Sequence, residues 1–165
     1  MHIALVGMMA SGKTKVGRRV ADALGRPYVD NDELLEERTG KSPGQVEEQD
    51  GLPALHTLER TLLHESLAAA EPAVVGVAAS TVEDPACREA LARDAFNVWL
   101  ALPPEEIARK VAASDRPRQG DDIAALARAR EPLYREIADL VVDRADTTAE
   151  EAARLITEAF AARSP

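Results

Sequence analysis

Three features of the sequence predict an α/β fold, a five-stranded parallel sheet with helices on both faces. Short runs rich in apolar and β-branched residues alternate with stretches of helical period, the order that gives parallel strands joined by crossover helices. One run, Phe96 to Leu102, is apolar at nearly every position, as expected for a strand covered on both faces. Near the start, Gly7-Met8-Met9-Ala10-Ser11-Gly12-Lys13-Thr14 fits G-x-x-x-x-G-K-[ST] at every fixed position, between an apolar run and a helix, which is the setting of a phosphate-binding P-loop.

His2 to Val6 is the first strand, short and apolar enough to be buried. Lys13 to Leu24 is a helix with Val16, Val20, Ala23 and Leu24 on one side and Lys15, Arg18, Arg19 and Asp22 on the other. Gly25 caps it and Pro27 prevents its resumption. Tyr28-Val29 is the second strand, so Asp30-Asn31-Asp32 falls at a strand's C-terminal edge, where open α/β sheets place ligands. A short helix with Leu34, Leu35 and Arg38 closes at Gly40, and Ser42-Pro43 opens another that runs to about Asp50-Gly51. From Leu52 to Ala70, Leu55, Leu58, Leu62 and Leu67 recur at helical spacing.

Ala73 to Val77 is the third strand, and Ala78-Ala79-Ser80-Thr81 leads from it to a helix near Asp84 to Arg93. The fourth strand is Phe96 to Leu102, and Pro103-Pro104 starts a helix carrying Ile107 and Val111. Ser114 to Asp122 is polar and rich in breakers, so it reads as a mobile loop. Ile123 to Ile137 is a helix that Pro132 should kink or divide. Leu140-Val141-Val142 is the fifth strand, and Thr148-Ala149-Glu150-Glu151 is a capping box opening a last helix that ends near Ala162.

At 165 residues the chain is predicted to be one domain, residues 1–165, with no internal repeat and no dividing linker. A net charge of −9 argues against nucleic acid as the main partner, because phosphate backbones are held by basic surfaces. A P-loop still makes a local pocket for a small anion. The single cysteine, Cys87, forms no internal disulfide, which points to a reducing, cytoplasmic setting; it is expected on an exposed or half-buried helix face in a structural role. No apolar run reaches membrane-spanning length, and a strand beginning almost at Met1 leaves no room for a signal peptide. Oligomeric state is not legible.

Each P-loop position has a physical task. Gly7 and Gly12 permit turns that aim successive N–H groups, from Met8, Met9, Ala10 and Ser11 among them, at a phosphate, aided by the positive end of the following helix. Lys13 reaches the outer phosphates of ATP, and the Thr14 hydroxyl ligates the bridging Mg2+. Phosphoryl transfer then needs a group to orient or deprotonate the acceptor, for which Asp32 is the best candidate. Asp30 and Asp32 also suit a helix N-terminus, and both roles can hold together. Arg116, in the breaker-rich loop, is suited to closing over the transferred phosphate.

Over nearly its whole length the chain resembles the shikimate kinases. The resemblance lies in Gly7 to Gly17 (GMMASGKTKVG), Tyr28 to Asp32 (YVDND) running on to Thr39-Gly40, Leu58-Glu59, Val98-Trp99-Leu100, Arg116-Pro117, Arg130-Glu131-Pro132-Leu133-Tyr134 and Ile137-Ala138-Asp139. It implies a nucleoside-monophosphate-kinase-like fold that moves the ATP γ-phosphate to a hydroxyl of a small molecule. It also implies a substrate-binding region at about residues 31–66 and a lid at about 113–122. By position, Asp30 resembles the family's magnesium-side aspartate and Asp32 the residue that meets the acceptor hydroxyl. Arg116 resembles the lid arginine, Arg130 the arginine that grips the substrate carboxylate, and Lys110 and Arg109 fall in the stretch where the family has an arginine along the adenine.

The chain departs from the family on the acceptor side. Ala78-Ala79-Ser80 stands where the family has a glycine triplet, so close backbone approach is obstructed, and any positive-φ position there becomes costly. Leu55-His56 stands where the family has Phe-Arg, exchanging a bidentate guanidinium for an imidazole that is mostly neutral at pH 7. The lid reads Arg116-Pro117-Arg118-Gln119 where the family has Arg-Pro-Leu-Leu. The acceptor pocket is thus expected among Asp32, His56, Ala79 and Arg130, with the acceptor's identity open. Two other readings remain: a kinase of a different polyol, sugar acid or nucleoside, and a nucleotide-binding protein that has lost phosphotransfer.

Overall fold

A computed structural model of the chain describes residues 1–114 and 122–163. Five strands, β1 (His2–Val6), β2 (Tyr28–Asp30), β3 (Val74–Gly76), β4 (Ala95–Ala101) and β5 (Leu140–Asp143), form one sheet in the order β2-β3-β1-β4-β5. Every pairing is parallel. The eight α-helices of the described residues are α1 (Lys13–Leu24), α2 (Asn31–Thr39), α3 (Pro43–Asp50), α4 (Leu52–Ala68), α5 (Pro85–Asp94), α6 (Pro104–Ala112), α7 (Ile123–Ile137) and α8 (Ala149–Ala162). The fold class read from the sequence is the one observed, with strand and helix ends shifted by a few residues. A 3-10 turn at Thr81–Glu83, which the periodicity does not announce, bridges the β3 loop to α5.

Strand alternation divides the core into two layers. Ile3 and Leu5 of β1 pack with Val16, Val20 and Ala21 of α1 and with Ala152, Ala153 and Ile156 of α8. Ala4 and Val6 face the other way, onto Leu63 and Leu67 of α4, Cys87 and Leu91 of α5, and Ala127, Tyr134 and Ile137 of α7. Each fully buried large apolar side chain contributes about 1.5–3 kcal/mol. A separate small cluster, Leu35, Val46, Leu55 and Leu62, holds α2, α3 and α4 to one another. None of the described helices is long and apolar enough to cross a membrane.

Two expectations are corrected here. Pro132 does not divide its helix: α7 runs unbroken from Ile123 to Ile137, because Ala127 before the proline and Tyr134 after it are buried in one core layer. That burial outweighs the one backbone hydrogen bond a proline forgoes. Cys87 is 0% exposed in that same layer, and burial pushes its thiol up to about 11. It is a packed core residue, as its structural role requires, but not a half-exposed one.

Candidate active site

The P-loop leaves β1 at the centre of the sheet and enters α1. Gly7 has φ 143°, and a Cβ there would lie 2.8 Å from the Leu100 carbonyl oxygen of β4, so only glycine fits. Gly12, at φ 89°, is the left-handed residue from which α1 starts. Ala10 also takes a positive φ, 63°, a conformation that costs a non-glycine residue about 1 kcal/mol or more and is concentrated at ligand sites. The Lys13 ammonium donates to the Gly7 and Met8 carbonyl oxygens at 2.8 and 2.9 Å. Burial pushes Lys13 down to about 8; Asp32 and Asp30 pull it back up, and Arg130 opposes them. Those couplings put Lys13 in the same electrostatic site as both aspartates and the arginine.

Asp30 ends β2 and is held on every side. Its Oδ1 accepts from the Asp32 backbone N–H at 3.0 Å, capping α2. Its Oδ2 accepts from the Thr14 hydroxyl and the Tyr28 phenol, both at 2.9 Å. Two glycines make room for Tyr28: a Cβ on Gly17 would run into its ring edge, and a Cβ on Gly76 into its hydroxyl. Burial, and the Asp30 charge beside it, raise the phenol far above its ordinary range, so Tyr28 stays a donor to Asp30. The cap places the next aspartate, Asp32, in the first turn of α2.

Beyond the P-loop opens a cavity of about 1480 Å³, lined by Lys13 and Asp32 on one side, His56 and Glu59 of α4 on another, and Ala78, Ala79, Ser80 and Arg130 at the back. Four residues separated in sequence by as much as 98 positions thus converge as expected: Asp32, His56, Ala79 and Arg130. Arg130 is 4% exposed, which excludes a surface ion pair for it. Its Nε donates to Glu83 at 2.8 Å and its Nη1 meets the Met8 sulfur at 3.7 Å. Its sequence neighbours do form surface pairs, Arg128 with Glu105 and Arg135 with Glu131.

The 78–80 loop is tied down rather than strained. The Tyr134 hydroxyl donates to the Ala79 carbonyl at 2.8 Å, and the Ser80 hydroxyl donates to Glu59. Among the described residues Ala10 is the one non-glycine with positive φ, so the backbone cost expected at 78–80 does not arise. Ser80 has φ −77° and ψ −23° and leads straight into the 3-10 turn, which absorbs the change of direction. The methyl groups nonetheless remain in the cavity wall.

A sequence profile of the family described as shikimate kinase matches residues 9–161. The chain belongs to that family. Among curated relatives, the shikimate kinase of Symbiobacterium thermophilum is 37% identical over 146 residues, 84% of this chain and 83% of that protein. That of Halorhodospira halophila is 35% identical over 165 residues, 96% of this chain and 93% of that protein. Among solved structures, the shikimate kinase from Acinetobacter baumannii in complex with shikimate superposes with a TM-score of 0.89 at 28% identity, covering 99% of this chain and 94% of that one.

For a member of the shikimate kinase family, the donor side meets the chemical demands of a nucleotide and a magnesium ion. Among the described residues no group of three or more His, Cys, Asp or Glu forms a metal cage. Magnesium needs none, since it is commonly held by one or two protein oxygens together with phosphates and waters. Thr14 and Asp30 offer such hard oxygens side by side, and the buried Ser11 hydroxyl, without a partner among the described residues, lies under the loop. Lys110 is not brought to the cavity: it lies 3.7 Å from Glu106 on α6, and the neighbouring cavity wall is Val111 and Ser114. Arg116 lies outside the described residues.

Three residues were missed in the sequence. Glu83 holds Arg130, and Tyr134 holds the Ala79 carbonyl, across 47 and 55 residues. No local pattern announces either contact. Arg144, just past β5, lays its guanidinium against Gly12 and donates to the Thr147 and Thr148 carbonyls, while its Nε is buried without a partner. An arginine directly after a strand, on the sheet edge that carries the P-loop, was the available signal.

Proposed function

We propose that the chain transfers the γ-phosphate of ATP, in the presence of Mg2+, to a hydroxyl of a small molecule, as a shikimate kinase-like phosphotransferase. The observation that carries this reading is the 2.9 Å hydrogen bond from Thr14 to Asp30, residues next in sequence to Lys13 and two before Asp32, both of which line the cavity. Adjacent corners of an octahedron with arms of about 2.0–2.1 Å have a similar spacing, so the pair suits magnesium. Held by these two oxygens, magnesium would supply charge neutralisation for the β- and γ-phosphate oxygens.

The residues divide the work. The P-loop N–H groups and Lys13 hold and neutralise the phosphates, with Arg116 completing the charge from the lid at about residues 113–122. Asp32 orients the acceptor hydroxyl and takes its proton as the oxygen bonds to the γ-phosphorus and ADP leaves. The helices α2 to α4, about residues 31–66, with Ala79 and Arg130, form the acceptor site. Lys110, at the end of α6, is proposed to approach the adenine. The one reduced, buried cysteine is consistent with the cytoplasm.

The test is product detection. The purified chain, MgATP and a panel of hydroxylated metabolites are followed by 31P NMR for a new phosphate monoester. The expected outcome is ADP and one phosphorylated acceptor in equal amounts, formed about 10³-fold more slowly in Lys13→Met. Tight ATP binding with no phosphorylated product from any acceptor would make the protein a nucleotide binder instead.

A further inference from the structure

Arg130 is almost wholly buried and still lines the cavity. Its N–H groups are unequally engaged. Nε donates to the Glu83 carboxylate at 2.8 Å, and Nη1 meets the Met8 sulfur, a weak acceptor, at 3.7 Å. Nη2 has no hydrogen-bond partner among the described residues. The guanidinium therefore offers a ligand its Nη end, while Nε is taken. Glu83 reaches it from outside the cavity lining, on the 3-10 turn Thr81–Glu83, and that turn is anchored by the Glu83 N–H, which donates to the Ser80 carbonyl at 3.0 Å.

An acid so close to the guanidinium fixes its orientation and also opposes its field. Both actions reach Tyr134, one helical turn further along α7: burial raises its phenol far above the ordinary range, Arg130 lowers it and Glu83 raises it. An anion brought to the Nη end would feel the same opposition. A neutral oxygen would feel much less of it, since it needs a donor rather than a net charge. We propose that Glu83 is a specificity-determining positioning residue: acting through Arg130, it holds the guanidinium with its Nη end toward the acceptor and lowers the preference of that arginine for a carboxylate over a neutral carbonyl. This rests on the acceptor site assigned under the proposed function.

The experiment compares shikimate with its neutral carboxamide, two ligands that differ only in the group offered to an arginine. Each is titrated calorimetrically into the full chain and into Glu83→Gln, both saturated with MgADP, and phosphate transfer from MgATP to each is assayed in parallel. The glutamine carbonyl can still accept from Nε, so the variant keeps the orientation and loses the charge. A urea midpoint close to the parent's confirms that it is folded. Every other charge around the cavity is common to the two proteins and cancels when their affinity ratios are compared. The ratio of shikimate to carboxamide affinity is expected to rise about tenfold in Glu83→Gln. A ratio that changes less than twofold, a ratio that falls, or no binding of either ligand to either protein overturns the proposal. The expected rise without phosphate transfer to either ligand would leave the role of Glu83 standing and remove the phosphotransferase reading.

Discussion

Around Lys13 and around Arg130 the same cavity is built in two ways. On the donor side, Asp30 is engaged by Thr14, Tyr28 and the Asp32 amide together, and glycines stand wherever a Cβ would strike β4 or Tyr28. Nothing in that arrangement departs from what a phosphate-binding loop requires. On the acceptor side, the basic group is offset by Glu83, an imidazole stands at position 56, and methyl groups line the 78–80 wall. The contrast shows that the P-loop side is held by contacts within and next to the loop, whereas the opposite wall is carried by side chains from separate helices. The acceptor helices even have their own small apolar cluster, Leu35, Val46, Leu55 and Leu62.

The largest expected effect falls on the donor side. Lys13→Met should lower kcat/KM for phosphate transfer about 10³-fold, since one preorganised donor to a transition-state charge is worth about 10²–10³. A steady-state assay showing less than a tenfold loss would break the assignment of that side. Next, Gly17→Ala should destabilise the fold by about 2 kcal/mol, because its Cβ meets the Tyr28 ring. Urea melts check this, and an unchanged midpoint would mean that Tyr28 is not wedged between Gly17 and Gly76.

On the acceptor side, His56→Arg should improve use of shikimate about tenfold or more by restoring a charged hydrogen-bond donor. No improvement in kcat/KM would place the defect at Ala78 to Ser80 or at Glu83 instead. A smaller effect concerns pH. With Lys13 pushed down to about 8, the apo site loses its proton above that value, while bound phosphates favour the charged form. Nucleotide binding should therefore take up a proton above about pH 8, and its affinity should fall as pH rises further. For stability the sign is opposite. Between about 8 and 10.5 the unfolded chain holds a proton that the folded chain lacks, so this group adds stability as pH rises through that window. Calorimetry in buffers of different ionisation enthalpy reads the uptake. The smallest change is Lys110→Ala, which should alter stability by about 0.5 kcal/mol or less, as for any exposed i,i+4 pair.

The sheet and its crossovers were legible because the signals are local. β-branched runs, Gly25 and Gly40 as caps, Ser42-Pro43 as a helix start and the Thr148 capping box all act within a few residues. So was the P-loop, whose chemistry is carried by adjacent positions. What could not be read was tertiary. Of the two outcomes expected of Pro132, division of α7 does not occur, because packing on both sides keeps the helix continuous, and Cys87 is buried where helical spacing alone left it half-exposed. At Ala78 to Ser80 the positions of altered chemistry were visible. That Glu59 and Tyr134 would tie the loop in a relaxed conformation was not, since both arrive from other helices.

The most direct measurement of the contrast between the two sides is a coupled ADP-release assay on the purified chain. Shikimate is titrated at saturating MgATP, with nucleotide binding verified by calorimetry in the same buffer. Ordinary nucleotide affinity together with a shikimate KM above about 1 mM, or no turnover of shikimate, is the predicted result. A shikimate KM within the ordinary enzyme range of about 1 μM to 1 mM would contradict the claim that the acceptor side has changed its specificity.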